Sequence, residues 1–271
     1  MNTIGEQQLA LDTLHVKSKY LKREVELRLY LPKKVSEPET MSLLLINDGQ
    51  DMPVMNFEHI LNDLYLQNAI SPVLCIAITA GTERIQEYGV ARKKDYLGRG
   101  AKAGAYTKFI LNELLPFIKK TYNVPVFRET AFAGFSLGGL SALDIVWEHP
   151  HIFSKAGVFS GSLWWRSVDQ SDEKYDDNKH RIMQQQIRKG KYVPGLKFFF
   201  ECGKLDESGD RNHNGIIDSI DDTLDHIKEL ADKGYKPEDI FYLELEDGKH
   251  DVPTWGKAMP AFLKWGWGNK M

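Results

Sequence analysis

The hydrophobic positions along the chain form two kinds of pattern, and each predicts a different kind of strand. Between Val25 and Leu31 apolar and polar side chains alternate, as in an antiparallel strand with one buried face near a sheet edge. Other segments are short continuous apolar runs, which are typical of strands covered on both faces in the middle of a sheet. These runs are Leu43–Ile46, Val73–Ile78, Ala131–Ala133, Ala156–Phe159 and Leu196–Phe200.

Helical stretches lie between and after these runs. They are Ala105–Tyr122, Leu137–Glu148, Thr223–Lys233 and Trp255–Trp265. Alternating strands and helices predict an α/β fold with a mostly parallel central sheet and helices on both faces. At 271 residues, of which 42% are hydrophobic, the chain can bury one large core, so we expect a single domain over residues 1–271.

Charge and composition exclude several classes of partner. With 35 basic against 38 acidic residues and no long cationic block, the chain is not expected to bind nucleic acid. No segment approaches the ~18 consecutive apolar residues that span a bilayer, so no membrane partner is expected. Cys75 and Cys202 lie in apolar runs and are interpreted as reduced, buried thiols. These features predict a cytoplasmic protein, although a secretory signal already removed would leave the same chain.

A nucleophile motif stands between a predicted strand and a predicted helix. Gly134–Gly138 reads Gly-Phe-Ser-Leu-Gly, the Gly-x-Ser-x-Gly pattern in which a sharp turn lifts the serine hydroxyl above the sheet. The strand before it and the helix after it favour this interpretation over a plain glycine-rich turn. Ser136 is therefore the predicted nucleophile, and the Leu137 N–H a predicted oxyanion donor. The second donor is predicted at Gln50, although the preceding Asp48-Gly49 is also compatible with a hairpin turn.

The expected chain order of the fold selects the base and the acid. A histidine after the last strand is required, and His250 alone among the eight histidines follows the predicted strand Ile240–Leu245. The acid must follow the preceding strand, which selects Asp206. Three other carboxylates are close enough in sequence to compete for this role: Glu201, Glu207 and Asp210.

With these motifs in place, the sequence resembles the putative-esterase family that includes esterase D, enterochelin esterases and feruloyl esterases. The likeness lies in Asn47–Gln50, Gly134–Gly139, Gly203–Asp206 and His250–Trp255. It implies an α/β-hydrolase fold and carboxylester hydrolysis without a cofactor, with the triad on Ser136, Asp206 and His250. The loop after Ile46 has Asp-Gly-Gln where S-formylglutathione hydrolases have His-Gly-Leu, which counts against that activity.

Two further groups of residues are candidates for binding the substrate. Trp164 and Trp165 follow a predicted strand on the active-site side, so they are predicted to line the substrate pocket, with core packing as the alternative. A basic stretch over residues 92–102 is a candidate for contact with an anionic substrate, with a solvated loop as the alternative.

Residues 210–221 match the ligand spacing of a calcium loop, with oxygen side chains at the first, third, fifth, ninth and twelfth positions and Gly215 at the sixth. The predicted ligands are Asp210, Asn212, Asn214, the carbonyl of Ile216, Asp218 and Asp221. The alternative is an acidic surface loop. Calcium would be structural here, because a triad needs no metal.

Together the sequence predicts a serine carboxylesterase that acts on a small-molecule ester through an acyl-enzyme intermediate. Acyl transfer to an acceptor other than water would use the same residues. A third alternative is an inactive hydrolase fold that binds a partner in a calcium-dependent way. The oligomeric state and the particular ester stay open.

Overall fold

A computed structural model describes residues 8–33, 35 and 40–269, and its centre is an eight-stranded sheet. In the described chain the strands are β1 (Leu9–Ser18), β2 (Arg23–Pro32), β3 (Ser42–Asn47), β4 (Val73–Ile78), β5 (Thr130–Phe135), β6 (Lys155–Phe159), β7 (Lys197–Leu205) and β8 (Ile240–Lys249). They lie in the order β1-β2-β4-β3-β5-β6-β7-β8. In the described chain β2 runs antiparallel to both of its neighbours, β1 and β4, and all other neighbouring strands are parallel, so the predicted mostly parallel sheet is confirmed.

The helices connect these strands. They are α1 (Met52–Met55), α2 (Phe57–Leu66), α3 (Arg84–Glu87), α4 (Ala103–Phe109), α5 (Leu115–Thr121), α6 (Leu137–Glu148), α7 (Asp177–His180), α8 (Ile182–Lys189), α9 (Asp218–Lys233) and α10 (Val252–Trp267). A π-helical turn, Ile110–Leu114, joins α4 to α5, and short 3₁₀ helices cover Gly49–Asp51 and Pro237–Asp239. The predicted helices are confirmed, and α9 and α10 begin several residues earlier than expected.

Helices cover the sheet on both faces, as predicted, because the inner strands are apolar on both sides. In β3, Leu43 and Leu45 pack in the core beneath α4, α5, α6 and α8. Leu44 and Ile46 point to the opposite face and pack in the core beneath α1, α2 and α10. The uninterrupted apolar runs therefore stabilise two cores at once.

The parallel strands end at the same edge of the sheet and so deliver their following residues to one region. Ser136 follows β5, Asp206 follows β7, and His250 follows β8. The strands of this sheet come from residues 9 to 249, and a single domain over residues 1–271 stays a prediction. No helix in the described ranges is both long and apolar enough to cross a membrane.

Candidate active site

The turn between β5 and α6 holds Ser136 in a strained backbone conformation with φ 52° and ψ −120°. Glycines permit this turn because the strand and the helix nearly touch. A Cβ atom on residue 134 would lie 2.3 Å from the Gly138 carbonyl oxygen, and one on residue 138 would lie 2.7 Å from the Asp48 carboxylate. The Ser136 carbonyl accepts hydrogen bonds from the N–H groups of Gly139 and Leu140, which begins the helix at the serine.

Both predicted oxyanion donors lie at helix starts. Leu137 is the first residue of α6 and Gln50 is the second residue of a 3₁₀ helix, and N–H groups at such positions have no acceptor within their own helix. The Gln50 side chain fixes its loop, because its amide oxygen accepts from the Ala80 N–H at 3.0 Å and its amide nitrogen donates to Asp48 at 3.2 Å.

Residues outside the predicted site attach the Gln50 loop to the serine turn. The Asn47 amide donates to the Gly138 carbonyl at 2.7 Å and accepts from the Tyr106 hydroxyl at 2.5 Å. Asp48 is buried and forms a two-point ion pair with Arg84, at 2.6 and 2.8 Å. The motif at residues 47–50 pointed to Asn47 and Asp48, but Arg84 had no sequence signal because it lies in a charged connection.

The structure brings His250 and Asp206 together. The distance between His250 Nδ1 and Asp206 Oδ2 is 4.0 Å, which is longer than a hydrogen bond. β7 and β8 approach closely at this point: a Cβ atom on residue 203 would lie 2.4 Å from the Gly248 backbone. His250 is 39% exposed, whereas the Asp206 side chain is completely buried.

Ser136 is not hydrogen-bonded to His250, although both residues are described. Its Oγ lies 3.3 Å from the hydroxyl oxygen of Ser162. Catalytic hydrogen bonds are often long in a free enzyme and shorten when substrate binds, so this arrangement is compatible with a triad. Burial lowers the pKa of His250 below its ordinary 6.5; the Asp206 carboxylate opposes this shift, and the Arg84 guanidinium adds to it.

The competing carboxylates occupy other places. Glu201 lies within β7 and is buried, and neither of its oxygens has a hydrogen bond of good geometry. Burial, and then the charge of Asp206, raise the pKa of Glu201 to about 8, although the nearby Ser160 favours its ionised form. Glu207 lies at the cavity described next, and among these carboxylates Asp206 alone comes within 4.0 Å of His250.

Ser160 links the acid to the residues beneath the histidine. Its hydroxyl oxygen accepts a hydrogen bond from Trp255 Nε1 at 2.9 Å, and the Trp255 ring packs edge-on against His250 with 5.4 Å between centroids. The Ser160 hydroxyl also lowers the pKa of Asp206, against the larger effect of burial, which raises it. No sequence pattern pointed to these contacts of Ser160.

A cavity of about 180 Å³ opens beside the acid and the histidine, and its lining includes Trp164 and Ser160. Trp164 therefore lies where the pocket prediction expects it. The pocket prediction was wrong for Trp165, which is fully buried in the core. Its ring lies 3.0 Å from the positions that Cβ atoms would take at Gly89 and Gly100. A larger cavity between β1, β2 and α1, of about 340 Å³, is lined by none of the predicted site residues.

The loop at residues 210–221 brings most of its predicted calcium ligands together. Asp210 accepts from the N–H groups of Asn214 and Gly215, and the amides of Asn212 and Asn214 both donate to Asp221. Asp218 is the exception and corrects the prediction. Its carboxylate accepts from the Arg211 N–H at 2.9 Å and lies 3.0 Å from the Arg211 guanidinium.

The loop therefore has fewer charged ligands than its spacing predicts. In the described residues, no three His, Cys, Asp or Glu side chains surround a single metal position. Asp210 and Asp221, with two asparagine oxygens and the Ile216 carbonyl, are the groups that would hold a calcium ion. An oxygen set of this kind suits a hard cation, so calcium binding stays a prediction for this loop.

Sheet order, serine turn and the position of the histidine define the α/β-hydrolase class. Within this class, residues 18–265 match the family described as "Putative esterase", and the chain belongs to that family.

Two relatives come from Bacillus subtilis (strain 168). YjcH is 23% identical over 251 residues, covering 91% of this chain and 93% of YjcH. YbbA is 25% identical over 149 residues, covering 53% of this chain and 59% of YbbA. Among solved structures, the enterobactin esterase FES from Shigella flexneri, crystallised in the presence of enterobactin, superposes with a TM-score of 0.72 at 21% identity. That match covers 94% of this chain and 58% of FES, so the chain spans little more than half of FES.

The lowered pKa of His250 predicts the acid side of the pH profile. A histidine that serves as the base must be neutral to accept a proton, so with His250 in the predicted role activity should fall when it becomes protonated. We expect the acidic limb of kcat/KM for 4-nitrophenyl acetate to have its midpoint below pH 6.5. Arg84→Gln removes a cation and should move that midpoint upward. A midpoint above 6.5 that Arg84→Gln leaves in place would contradict this electrostatic description.

The buried Glu201 predicts a pH-dependent stability. Its pKa rises from 4.5 to about 8 on folding, so the native state binds the additional proton and loses stability as the pH rises through that window. The side chain in Glu201→Gln cannot ionise. The melting temperature of this variant minus that of wild type should therefore increase from pH 5 to pH 9. An increase of a few degrees corresponds to about 1 kcal/mol in a protein of this size. The exposed Glu24→Gln is the matched control, and equal pH trends for both variants would contradict the burial argument.

Calcium binding to residues 210–221 predicts a calcium-dependent melting temperature. Binding to the native state alone adds ~2.7 kcal/mol of stability at a calcium concentration a hundredfold above Kd. Calcium should therefore raise the melting temperature, EGTA should reverse the increase, and Asp210→Ala should abolish the response. Identical melting curves with calcium and with EGTA would leave the acidic surface loop as the interpretation.

Proposed function

We propose that the chain is a serine carboxylesterase that hydrolyses a small-molecule ester through an acyl-enzyme intermediate. The observation that carries the proposal is the convergence of a strained serine turn, a histidine and a buried aspartate at one edge of the sheet. Membership of the "Putative esterase" family supports it independently. FES acts on enterobactin esters by its name, which makes an ester a reasonable substrate class for this chain as well.

In the first half of the reaction, Ser136 Oγ attacks the ester carbonyl carbon and His250 accepts the serine proton. The carbonyl oxygen becomes negative and is stabilised by the N–H groups of Leu137 and Gln50. These groups are free to donate because helix geometry gives the first N–H groups of a helix no acceptor within that helix. Collapse of this intermediate breaks the bond to the alcohol oxygen, and His250 returns the proton to the leaving alcohol. Asp206 orients the histidine and stabilises its charged form.

In the second half, water replaces the alcohol. His250 takes a proton from the water as it attacks the acyl-enzyme carbonyl, and the same N–H groups stabilise the second oxyanion. Collapse then breaks the bond to Ser136 Oγ, which recovers its proton from His250, and releases the carboxylic acid. Acyl transfer to another acceptor would differ only in this half, where an alcohol or amine would take the place of water.

Substitution of the triad tests the proposal. Ser136→Ala and His250→Ala should each lower kcat for 4-nitrophenyl acetate by on the order of 10⁴-fold, with little further loss in the double variant, because the triad acts as a unit. Asp206→Asn should cost on the order of 10³-fold or more, and Glu207→Gln, the matched carboxylate control, much less. A fluorophosphonate probe should label wild type and not Ser136→Ala.

Two outcomes would contradict the proposal. Near-normal turnover by Ser136→Ala would exclude Ser136 as the nucleophile, and a larger loss in Glu207→Gln than in Asp206→Asn would reassign the acid. A wild-type protein that neither reacts with the probe nor hydrolyses esters, yet binds a partner only with calcium, would establish the inactive binding protein instead.

A further inference from the structure

A second cavity lies next to the one beside Asp206 and His250. It has a volume of about 320 Å³ and shares the lining residues Trp164 and Glu207 with the first. A substrate that occupies the first cavity therefore has the second cavity beside it, at Trp164. The other residues that line the second cavity determine which chemical group of a substrate fits there.

Arg166 is the arginine of the second cavity that has no aspartate or glutamate oxygen within 4.0 Å, and the acidic group whose charge it does affect is the nearby Asp169. The chain has ten arginines, all described, and nine of them lie within 4.0 Å of an aspartate or glutamate oxygen. Arg166 is the tenth. Its guanidinium donates a hydrogen bond to the neutral Gln170 and interacts with the Tyr175 hydroxyl. It lies 5.7 Å from the Trp164 ring centroid and 5.6 Å from that of Tyr175.

The other cations of this cavity are already neutralised. Arg99 is paired with Asp95, and Arg211 with Asp177, Asp218 and Asp222. Glu207 lies where the two cavities meet, so an anionic group is repelled at that point and attracted at the Arg166 end. The Arg166 Nε is buried without a hydrogen-bond acceptor, which is costly for a charged group unless a ligand supplies one.

The backbone of Arg166 is held in place from two sides. Its carbonyl accepts from the Tyr96 N–H at 3.0 Å, and it forms an isolated antiparallel bridge with Arg181. The guanidinium is therefore presented from a fixed position instead of from a free loop, so a ligand would lose little energy in ordering it.

We propose that Arg166 and Trp164 form a subsite for a carboxylate, so that the enzyme prefers esters carrying a second, ionised carboxyl group. A guanidinium can donate two parallel hydrogen bonds to a carboxylate, while the Trp164 ring packs against the chain that joins it to the ester. The inference rests on the proposed esterase function and adds the substrate class to it.

Matched substrate pairs test the charge preference. We would use 4-nitrophenyl esters of succinic, glutaric and adipic acid, with the second carboxyl either free or methylated, and follow release of 4-nitrophenol. For at least one chain length, wild type should have the higher kcat/KM on the free acid. Arg166→Gln should lower the ratio of free-acid to methylated kcat/KM by about tenfold, the size expected for one charged hydrogen bond. An unchanged ratio at all three lengths would overturn the subsite.

Two further variants separate a local effect from a change in net charge or folding. Arg128→Gln removes the same charge from an exposed arginine that is paired with Glu129, and it should keep the wild-type ratio. Arg166→Lys keeps the charge without the planar fork and should give an intermediate ratio. If Arg166→Gln does not fold, Arg166→Lys decides the question, and a wild-type ratio in that variant would also overturn the subsite.

A binding measurement distinguishes failure of the subsite from failure of the esterase proposal. Saturation-transfer NMR with monomethyl glutarate, recorded on the Ser136→Ala protein, reports occupancy without turnover, and the signal should be lost when Arg166→Gln is added to that variant. Binding that depends on Arg166 in a protein without esterase activity would overturn the enzyme alone. Esterase activity with a ratio independent of Arg166 would overturn the subsite alone.

Discussion

The contact between β5 and α6 at Gly134 and Gly138 is the constraint on which the rest of the site depends. With no Cβ atoms at these positions, the two backbones come close enough to force Ser136 into its strained conformation, which costs of the order of 1–3 kcal/mol. The same approach brings Gly138 against the Asn47 and Asp48 loop, so the serine and the Gln50 loop are held by one another. Packing on both faces of the sheet compensates for the cost of this strained conformation, because β5 is buried along almost its whole length.

Much of the fold could be predicted because its signals are local. The alternation in β2 and the unbroken apolar runs of β3 and β4 each depend on which side of one strand is buried. Ser136 could be proposed as the nucleophile for the same reason, since the motif and its strand and helix lie within one short segment. His250 required only chain order, and Asp206 required chain order together with a choice among nearby carboxylates.

The remaining features depend on contacts between distant segments, which local patterns do not contain. Trp165 packs against glycines in another connection, so its burial could not be inferred from its neighbours in sequence. Asp218 has the spacing of a calcium ligand, but Arg211 in the second position of the loop binds it instead. Arg84 and Arg166 lie in polar or charged connections. The sequence of such a segment does not show which guanidinium has a carboxylate partner, because that depends on the folded chain.

The guanidinium of Arg211 has a consequence for how the cleft moves. Arg211 contacts Asp177 in α7 and Asp222 in α9, and Arg181 binds Asp222 from the other side. These buried charges join the segment before α8 to the loop that follows Asp206. Separating such a pair costs about 3 kcal/mol or more, which makes the separated state rarer by roughly a hundredfold. The segment before α8 and the loop after Asp206 should therefore move together, and substrate should enter cavities that are already formed in the free protein.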